Sequence, residues 1–234
     1  MNEQFSRTEL ILGHQALEKL NSSRIIVFGL GGVGSYLVEA LARSGVGSLT
    51  LVDNDEVCLS NLNRQLIALH STLGLSKVDA SERRILDINP SCKVTKMRMF
   101  YLPENADSID LSAFDYVVDC IDTVSAKIEL AVRCQSLGVP LISSMGTGNK
   151  LDPSLLKVAD ISKTSVCPLA RVMRRELSKR GVRHLKCVYS TEEPQSSGVQ
   201  DSESGKRVPG STAFVPSSAG LLIASVVVRD LISA

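Results

Sequence analysis

Residues 24–28 (RIIVF) are an apolar run that stops at Gly29, and the next five residues, LGGVG, carry three more glycines. A helical repeat follows, with Val33, Leu37, Ala40, Leu41 and Ser44 at helical spacing and Gly45 as its stop. Residues 48–52 (SLTLV) read as a second strand, ending in Asp53. Strand, glycine turn, helix, strand is one βαβ unit, and two parallel strands require such a crossover.

The same rhythm runs on. Lys77 to Leu86 reads as a helix, residues 93–97 and 114–119 as strands, Thr123 to Leu137 as a helix stopped by Gly138, and residues 140–144 as a strand. Alternating elements of this kind predict an α/β fold with a Rossmann-like, doubly wound and mostly parallel sheet. After Gly148 the rhythm changes. Leu155 to Ala159 and residues 186–190 read as short strands, and Pro168 to Arg180 as a helix with proline in its first turn and Gly181 at its stop. Residues 191–213 are rich in Ser, Gly, Pro and charge and read as a surface loop, a candidate lid, before a buried helix over Ser217 to Leu231. The expectation is one domain over 1–234, with a nucleotide-binding core at 24–148 and a C-terminal α/β extension at 149–234.

Composition closes off other classes. With 26 Lys+Arg against 25 Asp+Glu, the chain is no basic nucleic-acid coat protein, so any such contact must come from a local patch. Aromatics are 4% and Trp is absent, which removes base-stacking platforms as the main device. The six cysteines contain no C-x-x-C pair, against a four-cysteine zinc site. The first ten residues have no apolar signal core, and the apolar stretch Ala219 to Val228 is too short to span a bilayer. The expectation is a soluble cytoplasmic protein without a membrane span.

Gly29, Gly31 and Gly34 complete G-x-G-x-x-G between a strand and a helix, with Gly32 in addition. Glycines there let the backbone approach a phosphate, and the helix start offers unpaired N–H groups. Asp53, at the tip of the next strand, can accept both ribose hydroxyls. Glycines serving only tight helix–strand packing would not explain Gly32 and the acid together. The motif alone leaves NAD and ATP equally open. The following cluster, DNDEVCLSNLNRQ at 53–65 with Lys77 and Asp122, favours a triphosphate. Arg64 can fork onto phosphate oxygens and Lys77 adds a compact charge. Asp122, beyond a central strand, can hold Mg²⁺. Taken singly, Arg64 and Lys77 fit a solvated face and Asp122 a helix cap. Their gathering at one sheet edge favours chemistry.

These segments (GLGGVG, D-x-D-x-V-x-x-S-N-L-N-R-Q, Lys77 and the I-D-T at 121–123) resemble the ubiquitin-activating enzyme superfamily. SSMGTGNKLDPS, VADISKTSVCPLARVMRREL and VYSTEEP resemble its tRNA threonylcarbamoyladenosine dehydratase branch, making the resemblance nearly full length. The resemblance implies that ATP and Mg²⁺ are the cofactors. Gly29, Gly31, Gly32, Gly34, Asp53, Asp55, Asn61 and Gln65 would line the nucleotide site, with Arg64 and Lys77 on the phosphates and Asp122 on the metal. Arg7, in Phe5-Ser6-Arg7, would reach the ATP of a partner subunit, implying a homodimer. Without the resemblance, Arg7 reads as a terminal charge.

Arg171, Arg174, Arg175, Lys179, Arg180 and Arg183 stand against the single acid Glu176. They fall largely off the apolar face of Leu169, Val172, Met173 and Leu177. Such a stripe suits a phosphate backbone, or is a solvated face; the resemblance to a tRNA-modifying family tips the balance to tRNA. Sulfur transfer in the superfamily brings a sulfur-transfer protein into view as a partner and Cys167 or Cys187 as a thiol. A cysteine in an apolar strand is more often a buried small residue. The implied reaction is carboxylate adenylation followed by cyclodehydration of threonylcarbamoyladenosine next to the anticodon. Three other readings remain: an adenylyltransferase for the C-terminal glycine of a ubiquitin-like sulfur carrier, an NAD-dependent oxidoreductase, and a nucleotide-retaining scaffold without turnover.

Overall fold

The computed structural model describes residues 3–195 and 209–233. Two short helices, α1 (Ser6–Leu12) and α2 (His14–Ser22), precede β1 (Arg24–Phe28), α3 (Gly34–Arg43) and β2 (Ser48–Val52). Then come α4 (Lys77–Ile88), β3 (Lys93–Met97), β4 (Tyr116–Asp119), α5 (Val124–Leu137) and β5 (Leu141–Ser144). β6 (Leu156–Asp160), α6 (Pro168–Ser178), β7 (Lys186–Ser190) and α7 (Phe214–Ser233) complete the chain.

The seven strands form one sheet in the order β3-β2-β1-β4-β5-β7-β6. All neighbours are parallel except β6 and β7. The order reverses between β1 and β4, and in open α/β sheets ligands bind beyond the strand ends at such a switch point. The sheet is continuous through residues 186–190, so the predicted core and extension share one framework.

Helix ends follow the local chemistry. Ser76 caps α4 by accepting from the Asp79 N–H. Gly138 ends α5 in the left-handed conformation, φ 67°. The strand predicted over 114–119 begins at Tyr116, because Asp115 turns its carboxylate back to the Arg24 backbone N–H at 2.8 Å and to its guanidinium. The helices at 6–22 were not predicted. Leu20 is the buried residue of α2, a faint signature for so short an amphipathic helix.

α7 is twenty residues, longer than the predicted Ser217–Leu231, and by length and composition it could cross a membrane. It packs against α3 instead. Ala219, Ile223, Val227 and Leu231 are buried in the main core with Leu37, Val38 and Leu41. Gly220 permits the crossing: a Cβ there would lie 2.3 Å from the Val33 carbonyl oxygen. Residues 196–208, most of the predicted loop and candidate lid, lie outside the described residues.

Candidate active site

The glycine turn has steric reasons for its composition. Gly29 has φ 88°, and a Cβ on it would meet the Cys120 carbonyl oxygen at 2.6 Å. A Cβ on Gly34 would lie 1.8 Å from the Gly29 carbonyl oxygen, so α3 starts directly against β1. Packing therefore fixes Gly29 and Gly34. Gly32 meets side chains and not backbone: a Cβ there would lie 3.2 Å from Pro216 and 3.4 Å from Arg64, and Gly32 lines a cavity. Ser35, buried in the first turn of α3, donates to the Gly31 carbonyl at 2.7 Å and accepts from the Leu66 N–H at 3.1 Å. This hydroxyl locks the 59–65 segment onto the glycine turn, a role no motif announces.

The cavity holds about 310 Å³. Pocket volumes for small ligands start near this size. Its walls include Gly29, Gly31, Gly32, Asp53, Asp55, Asn61, Arg64, Gln65, Lys77 and Asp122. Of the nucleotide-site residues predicted from sequence, only Gly34 stays behind the wall, in the helix. Thr147, Ser211 and Pro216 complete the wall from distant parts of the chain and escaped sequence reasoning.

Asp53 Oδ2 accepts from the Leu30 N–H at 2.7 Å and Oδ1 from the Asp55 N–H at 2.9 Å. Burial pushes its carboxyl above the usual aspartate range, against the opposing pull of the Lys77 ammonium and the two backbone donors. Lys77 is buried, and its Nζ lies 2.7 Å from Asp55 Oδ2. Arg64 donates through Nη1 to the Ser60 carbonyl and Asn63 Oδ1, and it forms no ion pair among the described residues. Its packing beside Gly32 puts a positive group next to the start of α3, where the helix dipole adds to it. Asn61 Oδ1 accepts from the Cys58 N–H. Gln65 Oε1 is buried without a hydrogen-bond partner among the described residues, an orphan at the cavity wall.

Asp122 follows β4 at the switch point, and its carboxylate makes no hydrogen bond or ion pair among the described residues. The α5 N-cap is Thr123, so capping does not occupy Asp122. An uncommitted carboxylate beside a phosphate cradle fits Mg²⁺, which takes one or two protein carboxylates and completes its shell with phosphate oxygens and water. Among the described residues no group of three or more His, Cys, Asp or Glu could hold a metal.

Arg7 is not in this cavity. It is exposed on α1, and Phe5 packs beside Gly45 at the far end of α3, roughly 15 Å along the helix from the glycine turn. It is not among the residues that line the cavity of its own chain.

The family model of the ThiF family matches residues 3–231. The chain belongs to the ThiF family. A tRNA threonylcarbamoyladenosine dehydratase of Bacillus subtilis is 46% identical, over 99% of this chain and 96% of the relative. Crystal structures of Escherichia coli tRNA N6-threonylcarbamoyladenosine dehydratase in complex with ATP and with AMP superpose with TM-scores of 0.88 and 0.90. Each is 34% identical and covers 99% of this chain and 94% of the other. This ThiF-family chain therefore stands in the dehydratase branch, and the matches favour that reading over a carrier-protein adenylyltransferase.

The basic helix of this family member is less uniform than its sequence. Arg174 turns inward, its Nη1 donating to the Thr164 carbonyl at 2.9 Å and to Thr164 Oγ1 at 2.7 Å. It braces the segment before α6. Arg175, Lys179 and Arg180 all bond Glu176, whose carboxyl is pulled down to about 2, most strongly by Lys179 and then by Arg180 and Arg175. Arg171 and Arg183 are exposed. α6 starts beside Gly146, near the cavity, and ends by Gly181, whose carbonyl accepts from Gln135 at the far end of α5. Cys167 and Cys187 are both buried, and burial pushes the Cys187 thiol up to about 12, opposite to what a reactive thiol needs.

Proposed function

We propose that this protein is an ATP-dependent tRNA threonylcarbamoyladenosine dehydratase. The observation that carries the reading is the meeting, in one cavity, of the glycine turn, Arg64, buried Lys77 and the uncommitted Asp122. Near-full-length similarity to dehydratases, one seen with ATP, supports it.

The substrate's threonyl carboxylate has an oxygen that leaves poorly. Its attack on the α-phosphorus of ATP forms a mixed anhydride and releases pyrophosphate. Arg64 and Lys77 bear on the phosphates, where negative charge builds in the transition state. Asp53 and Asn61 orient the ribose end. Mg²⁺, held by Asp122, would neutralise phosphate charge and align the departing group. The substrate's carbamoyl group then attacks the activated carbonyl, closes a five-membered ring and expels AMP. The net change in the tRNA is loss of one water. An intramolecular nucleophile has a high effective concentration, so no enzyme nucleophile is required.

The rest of the reading follows from position. Arg7, outside the lining of its own cavity, would act on that of a second copy in a homodimer. Arg171, in the first turn of α6, with Arg175, Lys179, Arg180 and Arg183 further along the chain, would seat the tRNA backbone. The reaction would take place in the cytoplasm. A sulfur-transfer protein remains the weaker partner proposal, since the candidate thiols are enclosed.

The test is mass spectrometry of tRNA nucleosides from cells with and without the protein, isolated under conditions that preserve a cyclic product. The modified adenosine lighter by one water should occur only with the protein. Its undiminished presence in the deletion strain would refute the assignment. Asp122→Ala and Arg64→Ala are expected to abolish ATP–pyrophosphate exchange.

A further inference from the structure

Lys127 lies on α5, five residues beyond Asp122, where the sequence suggests an ordinary helix lysine. It is wholly buried. Its ammonium uses three donors on three acceptors: Asp119 Oδ2 at 2.8 Å, the Ser144 carbonyl at 2.8 Å and the Ile121 carbonyl at 3.1 Å. Asp119, also wholly buried, accepts from Ser143 Oγ at 2.5 Å and from the Ile121 N–H at 3.0 Å.

Ile121 is thus gripped at both its N–H and its carbonyl, the carbonyl being part of the peptide that leads into Asp122. The Ser144 carbonyl ends β5, three residues before Thr147, which also lines the cavity. One buried cation ties together the two strand ends that carry these groups. Apolar side chains of similar volume would usually serve stability as well as a buried ion pair, so stability alone gives no reason for this one.

We propose that Lys127 and Asp119 are positioning residues that hold the Asp122 carboxylate where it meets a metal–nucleotide complex. The proposal rests on the reading of Asp122 given above. Lys127 and Asp119 grip the backbone that carries Asp122 and not its carboxylate. Their effect is therefore expected at the lower end of the roughly 10–100-fold that direct hydrogen-bond partners of metal ligands contribute.

The experiment uses the full chain and Mn²⁺ as the probe, with free Mn²⁺ read by electron paramagnetic resonance in the presence of a non-hydrolysable ATP analogue. Nucleotide binding without metal and urea unfolding are measured in parallel. Lys127→Met and Ser143→Ala are expected to weaken Mn²⁺ binding to the nucleotide complex about tenfold. Metal-free nucleotide binding should stay within about twofold, and Lys127→Arg should restore part of the Mn²⁺ affinity. Ser143→Ala keeps both charges, so it decides the question even if Lys127→Met fails to fold. A folded Ser143→Ala protein with the wild-type Mn²⁺ curve overturns the proposal, because a purely structural pair would alter only the urea midpoint. Asp122→Asn is the control: if it binds Mn²⁺ as the wild type does, the reading of Asp122 itself falls, and the positioning role with it.

Discussion

Lys77 and Asp55 form a 2.7 Å ion pair in which the lysine is the buried member and the aspartate the exposed one. The carboxylate holds the ammonium at the cavity wall before any phosphate arrives. Lys77→Met is expected to cut ATP–pyrophosphate exchange by about 10²–10³-fold, the usual cost of losing one donor to developing charge. Exchange within tenfold of wild type would remove Lys77 from the phosphate site.

Asp53 supplies a pH signature. Its carboxyl sits above the usual aspartate range, chiefly because it is buried. The protonated form is a poor acceptor for ribose hydroxyls, so nucleotide affinity should be full above that raised pKa and fall as pH drops through it. Its contribution to stability has the opposite sign. A raised acid favours the folded state below the unfolded pKa and loses that contribution as pH rises through the folded pKa. Comparison of wild type with Asp53→Asn isolates the group. Identical acid limbs in nucleotide titrations of the two proteins would reject the prediction.

Gly220→Ala tests the crossing of α3 and α7. The new methyl would press on the Val33 carbonyl oxygen at 2.3 Å and the Leu37 nitrogen at 3.1 Å, both backbone atoms. The helices must separate, at a cost of about 1–3 kcal/mol by urea unfolding. Nucleotide affinity should also decline, since Val33 belongs to the glycine turn. An unchanged midpoint would show that the crossing is loose.

The basic helix divides into two kinds of residue. Arg174→Ala should lower the unfolding midpoint while leaving the salt dependence of tRNA binding alone. Arg171→Ala with Arg175→Ala should weaken tRNA binding and flatten its log–log salt slope by about 1 per lost phosphate contact. Glu176→Gln releases three cations from one carboxylate, so it should tighten tRNA binding at low salt. Filter binding across a salt series checks all three, and an Arg171/Arg175 variant with the wild-type slope would move the RNA surface elsewhere.

Much of this architecture was legible because backbone requirements dominate it. RIIVF, the glycine turn and SLTLV can hardly be arranged in another way; Asp53 and Asp122 follow from strand ends meeting at the switch point, and Arg64 and Lys77 from the segment that runs on from Asp53. Tertiary partners concealed the remainder. Ser35, Lys127 and Arg174 look like ordinary surface or helix residues in sequence, and only the fold supplies the acceptors that bury or engage them. Thr147, Ser211 and Pro216 enter the wall through connections that no local pattern fixes. The antiparallel direction of β6 had no signal either, since a short strand carries no direction.

α7 follows every other element in the sequence, yet it backs the first nucleotide motif, with Pro216 against Gly32 and Gly220 against Val33. During synthesis the glycine turn emerges from the ribosome long before its support. A nascent chain stalled ahead of residue 214 is therefore expected not to retain ATP, whereas the released protein does. Retention by the stalled chain would contradict this. Nucleotide competence is then expected to await the synthesis of α7.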